Sequence, residues 1–391
     1  MQVCLARSNA RVVINPLRRN DVPVLLPFVG AKLTPLAFHQ RLAGYAPSPL
    51  VSTPALAGEL GVGELWVKDE SSRLGLPAFK ILGASWATYR ALDQHIGGFA
   101  PWSTIDDLAV QLRPHLPLTL TAATDGNHGR AVARMARLLG LDAQIYLPAG
   151  SAQARLDAIR GEGATATMID GSYDDAVALA AEQASERCLV IADIAWPGYE
   201  QVPVWTSEGY TTILSEIDEQ LAGARPDLML VPIGVGGLAA AVVSHFRAAG
   251  SDAQPLIVGV EPTTADCMLR SIEAGQPISI PGPQDSIMAG LNCGEPSPTA
   301  WPIVAAGTDA FIAIDDERAR EAMRLLARAG LVAGETGAAA LGGLIELLQP
   351  AHAELRARLG VRPDANVLVI MTEGATDPAA YAEIVGTALI P

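Results

Sequence analysis

Short runs rich in β-branched and large apolar residues recur along this chain, and stretches with helical spacing separate them. That alternation constrains the fold more than any other feature, because parallel neighbouring strands need a crossover and a helix supplies it. The runs are "ELWVKD" (64–69), "LTLTAAT" (118–124), "AQIYLP" (143–148), "TATMID" (165–170), "CLVIADI" (188–194), "DLMLVPI" (227–233), "LIVGVE" (256–261) and "NVLVIM" (366–371). Between them, segments such as "GRAVARMARLLG" and "SYDDAVALAAEQAS" gather their apolar residues on one helical face. The pattern predicts an α/β fold with a mostly parallel sheet covered by helices. Two stretches break it: residues 97–117, which read as an inserted connection, and the Pro/Gly-rich residues 275–298. Long interruptions of that kind are often functional. Residues before Val51 show little periodicity and read as an arm packed on the main body.

A chain of 391 residues, half of them hydrophobic, is long enough for two domains or one large α/β unit. Its net charge of −15 argues against a nucleic-acid or anionic-membrane partner, since both require a basic surface. No apolar run reaches the length of a bilayer span, and the first twenty residues lack the apolar core of a secretory signal. A cytoplasmic location is the expectation. Cys4, Cys188, Cys267 and Cys293 have no zinc-site spacing. Cys267 and Cys293 flank the second interruption and could meet across its base, although reduced thiols are the default in a reducing compartment.

In open α/β sheets, ligands bind beyond the carboxyl ends of the strands. Four loops there carry the chemistry: the one reaching Lys80 in "RLGLPAFKILGASWAT", "TDGNHG" (124–129), "GVGG" (234–237) and "TEGATD" (372–377). Lys80 is the one cation in an uncharged stretch at the start of a helical pattern. A lysine there either snorkels to solvent or, in an apolar pocket, becomes a nucleophilic amine. "GVGG" either permits close packing or cradles a phosphate with backbone N–H groups and the helix dipole. Taken together, a nucleophilic lysine and a phosphate cup point to pyridoxal 5′-phosphate bound as a Schiff base.

The chain resembles the fold type II (tryptophan synthase β-like) pyridoxal-phosphate enzymes, and within them the diaminopropionate ammonia-lyases. The matching segments are "VKDESSRLGLPAFKILGA", "ATDGNHGRAVA", "LPAGSAQARLDAI", "DIAWPGY", "GVGGLAA", "VEPTTADC", "IMAGLNCGEPSP", "GETGAAALG" and "TEGATD", in family order from about Val51 onward. The resemblance implies two open, twisted, mostly parallel sheets with flanking helices and the cofactor in the cleft between domains. It divides the chain into a large cofactor-binding domain, 1–89 plus 201–391, and a small domain, 90–200. Leu74 and Ile194 depart from the family pattern, which usually shows Phe and Thr there.

Carried over residue by residue, the resemblance implies that Lys80 holds the cofactor and abstracts the α-proton. Asn127 contacts the phenolic oxygen, and Gly234, Val235, Gly236 and Gly237 hold the phosphate. Thr372 faces the pyridine nitrogen; a helix N-cap is the competing reading. Backbone amides of Thr124, Asp125, Gly126, Asn127 and His128 receive the substrate carboxylate, with the His128 side chain a structural hydrogen-bonder. Asp125 would lie across the cofactor from Lys80 as a second base, unless it caps the helix. Asp193, at the end of the 188–194 strand, would be a second acid near the cofactor, unless it is a turn residue. Trp196 and Tyr199 either wall the pocket or belong to the core. Two carboxylates suit 2,3-diaminopropionate, whose β-ammonium adds a positive charge. The expected activity is α,β-elimination of its D- or L-isomer to pyruvate and ammonia, by a homodimer that binds no metal. A dehydratase or ammonia-lyase acting on serine, threonine or a β-substituted aspartate, a β-replacement synthase and a non-catalytic phosphate binder are the rivals.

Overall fold

A computed structural model of the chain describes residues 10–19, 26, 33–124, 126–248 and 254–386. The strands are β1 (Arg11–Ile14), β2 (Leu50–Ser52), β3 (Leu65–Asp69), β4 (Thr119–Ala123), β5 (Asp142–Leu147) and β6 (Thr165–Met168). They continue with β7 (Cys188–Val190), β8 (Leu228–Pro232), β9 (Leu256–Pro262), β10 (Ala310–Ile314) and β11 (Val367–Met371). Seven strands form one sheet, in the order β1-β10-β9-β8-β11-β3-β2, and four form another, β6-β5-β4-β7. Every pairing is parallel except at the two edges of the larger sheet, where β1 runs antiparallel to β10 and β2 to β3. In β8, β10 and β11 every residue is buried. Such strands carry no alternation because helices cover both faces of the sheet.

The predicted runs coincide with β3 to β9 and β11, but three strands, β1, β2 and β10, escape the pattern. β10, "AFIAI", is an apolar run too short to distinguish from a buried helix segment by periodicity. β1 turns part of the expected arm into an edge strand, Arg11 opposite Ala313 and Ile14 opposite Ala310. The 188–194 run is also shorter than expected: β7 ends at Val190, and Asp193 lies in a bend three residues beyond it. Beyond Val190, Ile191 N–H still donates to Thr121 O at 2.8 Å, and the Tyr199 hydroxyl donates to Val190 O at 2.7 Å and accepts from Ala192 N–H at 3.1 Å.

The helix Lys80–His95 packs on the helix Gln201–Leu221, with the closest backbone approach at two glycines. A Cβ on Gly83 would come within 2.5 Å of the Tyr210 ring, and one on Gly209 within 2.4 Å of Leu82 O. Across the other sheet, the helix Asn127–Leu139 buries Ala131, Val132, Met135, Ala136 and Leu139 at helical spacing and stops at Gly140, whose φ is +69°. No described helix is long and apolar enough to cross a membrane. Among the described residues, Cys188, Cys267 and Cys293 form no disulfide.

Candidate active site

Lys80 is the first residue of its helix, and what precedes it is rigid. Arg73 and Leu76 exchange two backbone hydrogen bonds of 2.8 and 2.9 Å around Leu74 and Gly75, whose φ values are +51° and +72°. That is the geometry of a primed hairpin turn, unusual in carrying leucine at a positive φ. The Arg134 guanidinium donates to Leu74 O at 3.2 Å. Arg73 is fully buried and bonds Glu70 and Glu216, while the buried Lys68 ammonium also reaches Glu216 at 2.8 Å. These four charges, balanced two against two, pin the connection from β3 to Lys80. Phe79 N–H then donates to Thr372 O at 3.1 Å, joining the base of the lysine helix to the end of β11.

The Lys80 ammonium donates to Asp193 Oδ2 at 2.7 Å. Burial alone would push the Asp193 carboxyl up, but the charges of Lys80 and His128 and the lysine hydrogen bond hold it well below the usual carboxylate range. His128 Nε2 lies 2.7 Å from Ile191 O, and its Nδ1 lies 3.9 Å from Asp193 Oδ2. Its ring is held by backbone, and this bond anchors the bend that carries Asp193.

Lys80 and Asp193 line a cavity together with Asn127, Gly234, Val235, Gly236, Gly237 and Thr372. Ala289 to Cys293, from the Pro/Gly-rich interruption, close another side. The glycine segment follows β8 and opens the helix Gly237–Phe246, so its N–H groups and the positive helix end face an incoming anion. Gly236 has φ +106°, and a Cβ there would press Met268 Cε at 2.9 Å and Ala300 Cβ at 3.0 Å. A Cβ on Gly234 would meet Cys293 Sγ at 3.1 Å. A lysine on one wall and a glycine-rich anion cup on another fit pyridoxal 5′-phosphate.

Thr372 is 2% exposed and its hydroxyl donates to Thr336 O at 3.4 Å. It caps no helix, because Asp377 takes that role for Pro378–Val385 through Ala379 and Ala380 N–H. In the 124–128 loop, Thr124 N–H donates to Tyr146 O at 3.0 Å, and Thr124 Oγ1 accepts from Gly126 N–H at 2.8 Å and Gly129 N–H at 2.9 Å. Among the described residues of the loop, the amides of Asn127 and His128, in the first helical turn, are the ones left for a carboxylate. Asp125 lies outside the described residues. Trp196 and Tyr199 stack on each other at 4.1 Å and are not among the residues lining the cavity.

Sequence reasoning overlooked Phe79, Tyr173, Thr336 and Glu373, all of which line the cavity. Glu373 carried a legible signal: it is a carboxylate two residues after an apolar strand, in a loop at the same sheet end as Lys80. Among the described residues, no cluster of His, Cys, Asp or Glu is arranged to hold a metal ion.

A family model described as pyridoxal-phosphate dependent enzyme matches residues 42–373. The chain is 40% identical over 369 residues to the diaminopropionate ammonia-lyase of Salmonella typhimurium, covering 90% of each protein. With the Escherichia coli (strain K12) diaminopropionate ammonia-lyase it shares 39% identity over 357 residues, 89% of each. The crystal structure of the Escherichia coli enzyme in complex with an aminoacrylate-PLP azomethine reaction intermediate superposes with a TM-score of 0.87 at 37% identity, covering 97% of both chains. On that similarity, carried through nearly its whole length, the chain belongs to the fold type II pyridoxal-phosphate-dependent enzymes and, within them, to the diaminopropionate ammonia-lyase family.

Proposed function

We propose that the protein catalyses α,β-elimination of 2,3-diaminopropionate, as the D-isomer, the L-isomer or both, releasing pyruvate and ammonia. The observation that carries this reading is the 2.7 Å pair of Lys80 Nζ and Asp193 Oδ2 inside a cavity that also presents a glycine anion cup. Bound pyridoxal 5′-phosphate supplies the electron sink that acidifies the substrate's α-C–H. Gly234, Val235, Gly236 and Gly237 would hold its phosphate, Asn127 its phenolic oxygen and Thr372 its pyridine nitrogen, with Lys80 as the covalent anchor. Once substrate has displaced Lys80, the free amine takes the α-proton of the L-isomer, and Asp125 takes that of the D-isomer. Asp193 is close enough to Lys80 Nζ to orient it and to exchange protons with it. Its charge also suits a substrate bearing a second ammonium. As the β-C–N bond breaks, its electron pair goes to nitrogen and the ammonium departs as neutral ammonia, needing no further proton. The released enamine hydrolyses to pyruvate and a second ammonia. The amides of Asn127 and His128 would orient the substrate carboxylate.

Residues 1–89 with 201–391 would form the large domain and 90–200 the small one. Assignment of the two sheets to separate halves of the cleft supports that division. A cytoplasmic homodimer is the assembly we infer, and light scattering of the purified protein tests it. For the reaction itself, the test is pyruvate release by the cofactor-loaded protein, with D- and L-2,3-diaminopropionate, L-serine and L-threonine run in parallel. Strong turnover of diaminopropionate is expected. Turnover of serine or threonine alone would overturn the substrate assignment while keeping Lys80.

A further inference from the structure

Glu373 is 2% exposed, lines the cavity and takes no part in the reaction as described above. Its Oε2 accepts a hydrogen bond from Asn127 Nδ2, a residue 246 positions earlier that opens a helix on the other sheet. Its Oε1 lies 3.3 Å from Thr336 N, which donates to it. The backbone around it is equally tied: Gly334 N–H donates to Glu373 O at 3.1 Å. A Cβ on Gly337 would come within 2.2 Å of that same oxygen, so the 334–337 loop can lie this close only as glycine. Glu373 is therefore a fixed acceptor, not a mobile surface charge.

A carboxylate only accepts, so Asn127 and Thr336 must donate to it. An asparagine amide can otherwise present oxygen or nitrogen to a given neighbour, and the surrounding network decides which. Glu373 decides it here. Asn127 must turn Nδ2 toward Glu373, which fixes the amide's flip in a residue that lines the cavity holding Lys80.

We propose that Glu373 is a positioning residue that sets the orientation of the Asn127 amide for the cofactor's phenolic oxygen. This rests on the reading that Asn127 makes that contact. Glutamine in its place carries a donor as well as an acceptor, so the Asn127 amide loses its single allowed orientation.

The test is the pH titration of the visible cofactor band in loaded wild type, Asn127→Ala, Glu373→Gln and the double variant, with thermal unfolding of each recorded alongside. Glu373→Gln is expected to move the midpoint by about one pH unit, in the same direction as Asn127→Ala. In the Asn127→Ala background it is expected to produce no further shift, since the two residues act as one unit. An unchanged midpoint in Glu373→Gln while Asn127→Ala shifts overturns the role of Glu373 alone. Additive shifts overturn it too, because Glu373 would then act directly. No shift in Asn127→Ala overturns the reading of Asn127 itself, and the proposal with it. Should Glu373→Gln fail to fold, Glu373→Asp, which keeps the charge on a side chain one methylene shorter, takes its place with the same expected dependence on Asn127.

Discussion

At the scale of single residues, the site depends on a charge pair whose members are 113 positions apart. Asp193 and Lys80 have side chains 12% and 20% exposed, so the pair is screened from water far more than a surface salt bridge. Because the folded-state pKa of Asp193 lies below its ordinary value near about 3.9, its contribution to stability is complete above that pH. It is lost as pH falls through the depressed folded value. In the cofactor-free protein, Asp193→Asn is thus expected to lower stability by about 1–3 kcal/mol at pH 7, with the difference fading below about pH 4. Urea titrations of both proteins across pH measure this; a difference that stayed constant with pH would remove the charge from the explanation. The same variant is expected to lose about 100-fold or more in diaminopropionate turnover. Neither residue's identity as a partner was visible locally. Lys80 was conspicuous as a cation in an uncharged stretch, but Asp193 looked like the end of a strand, and β7 stops three residues before it.

At the scale of elements, the segment from β3 to Lys80 shows how a buried ionic network can hold a catalytic helix in place. Arg73 bonds Glu70 and Glu216 from a fully buried position, and its fork satisfies both carboxylates at once. Arg73→Met would leave both acids in the interior without that partner. Breaking a buried pair in this way costs about 3–5 kcal/mol. The expected result is a protein with a much lower unfolding midpoint and, where it folds, weaker cofactor retention, because the turn before Lys80 loses its anchor. Guanidinium denaturation and absorbance of the dialysed protein read the two effects. A loss below about 1 kcal/mol would mean the network is not what holds the turn. The helices and strands at this scale were largely legible, since amphipathic spacing and β-branched runs act within a window of several residues. β10 was not, because five buried apolar residues satisfy helix and strand alike and its two neighbours in the sheet decide between them.

At the scale of the whole molecule, the cavity joins parts of the chain that have no local relation. The seven-stranded sheet contributes the lysine helix, the glycine cup and the end of β11. The four-stranded sheet contributes Asn127 and, beyond β7, Asp193. A ligand bound there stabilises the folded state by mass action, so resolving the cofactor from the protein is expected to lower its unfolding temperature. Restoring it at roughly 1,000 times its dissociation constant should return about 4 kcal/mol or more. Calorimetry of the two forms checks this, and equal unfolding temperatures would place the cofactor outside the cleft. By itself the amino-acid sequence determined the class of fold, most of the strands, the glycine turns at strand ends and the lysine among them. Each of these follows from backbone propensity, periodicity or glycine geometry acting over a few residues. Strand order, the short β7, the Lys80–Asp193 pair and the Glu373–Asn127 contact belong to the tertiary structure alone. They depend on which distant segments a parallel sheet lays side by side, and no local pattern encodes that.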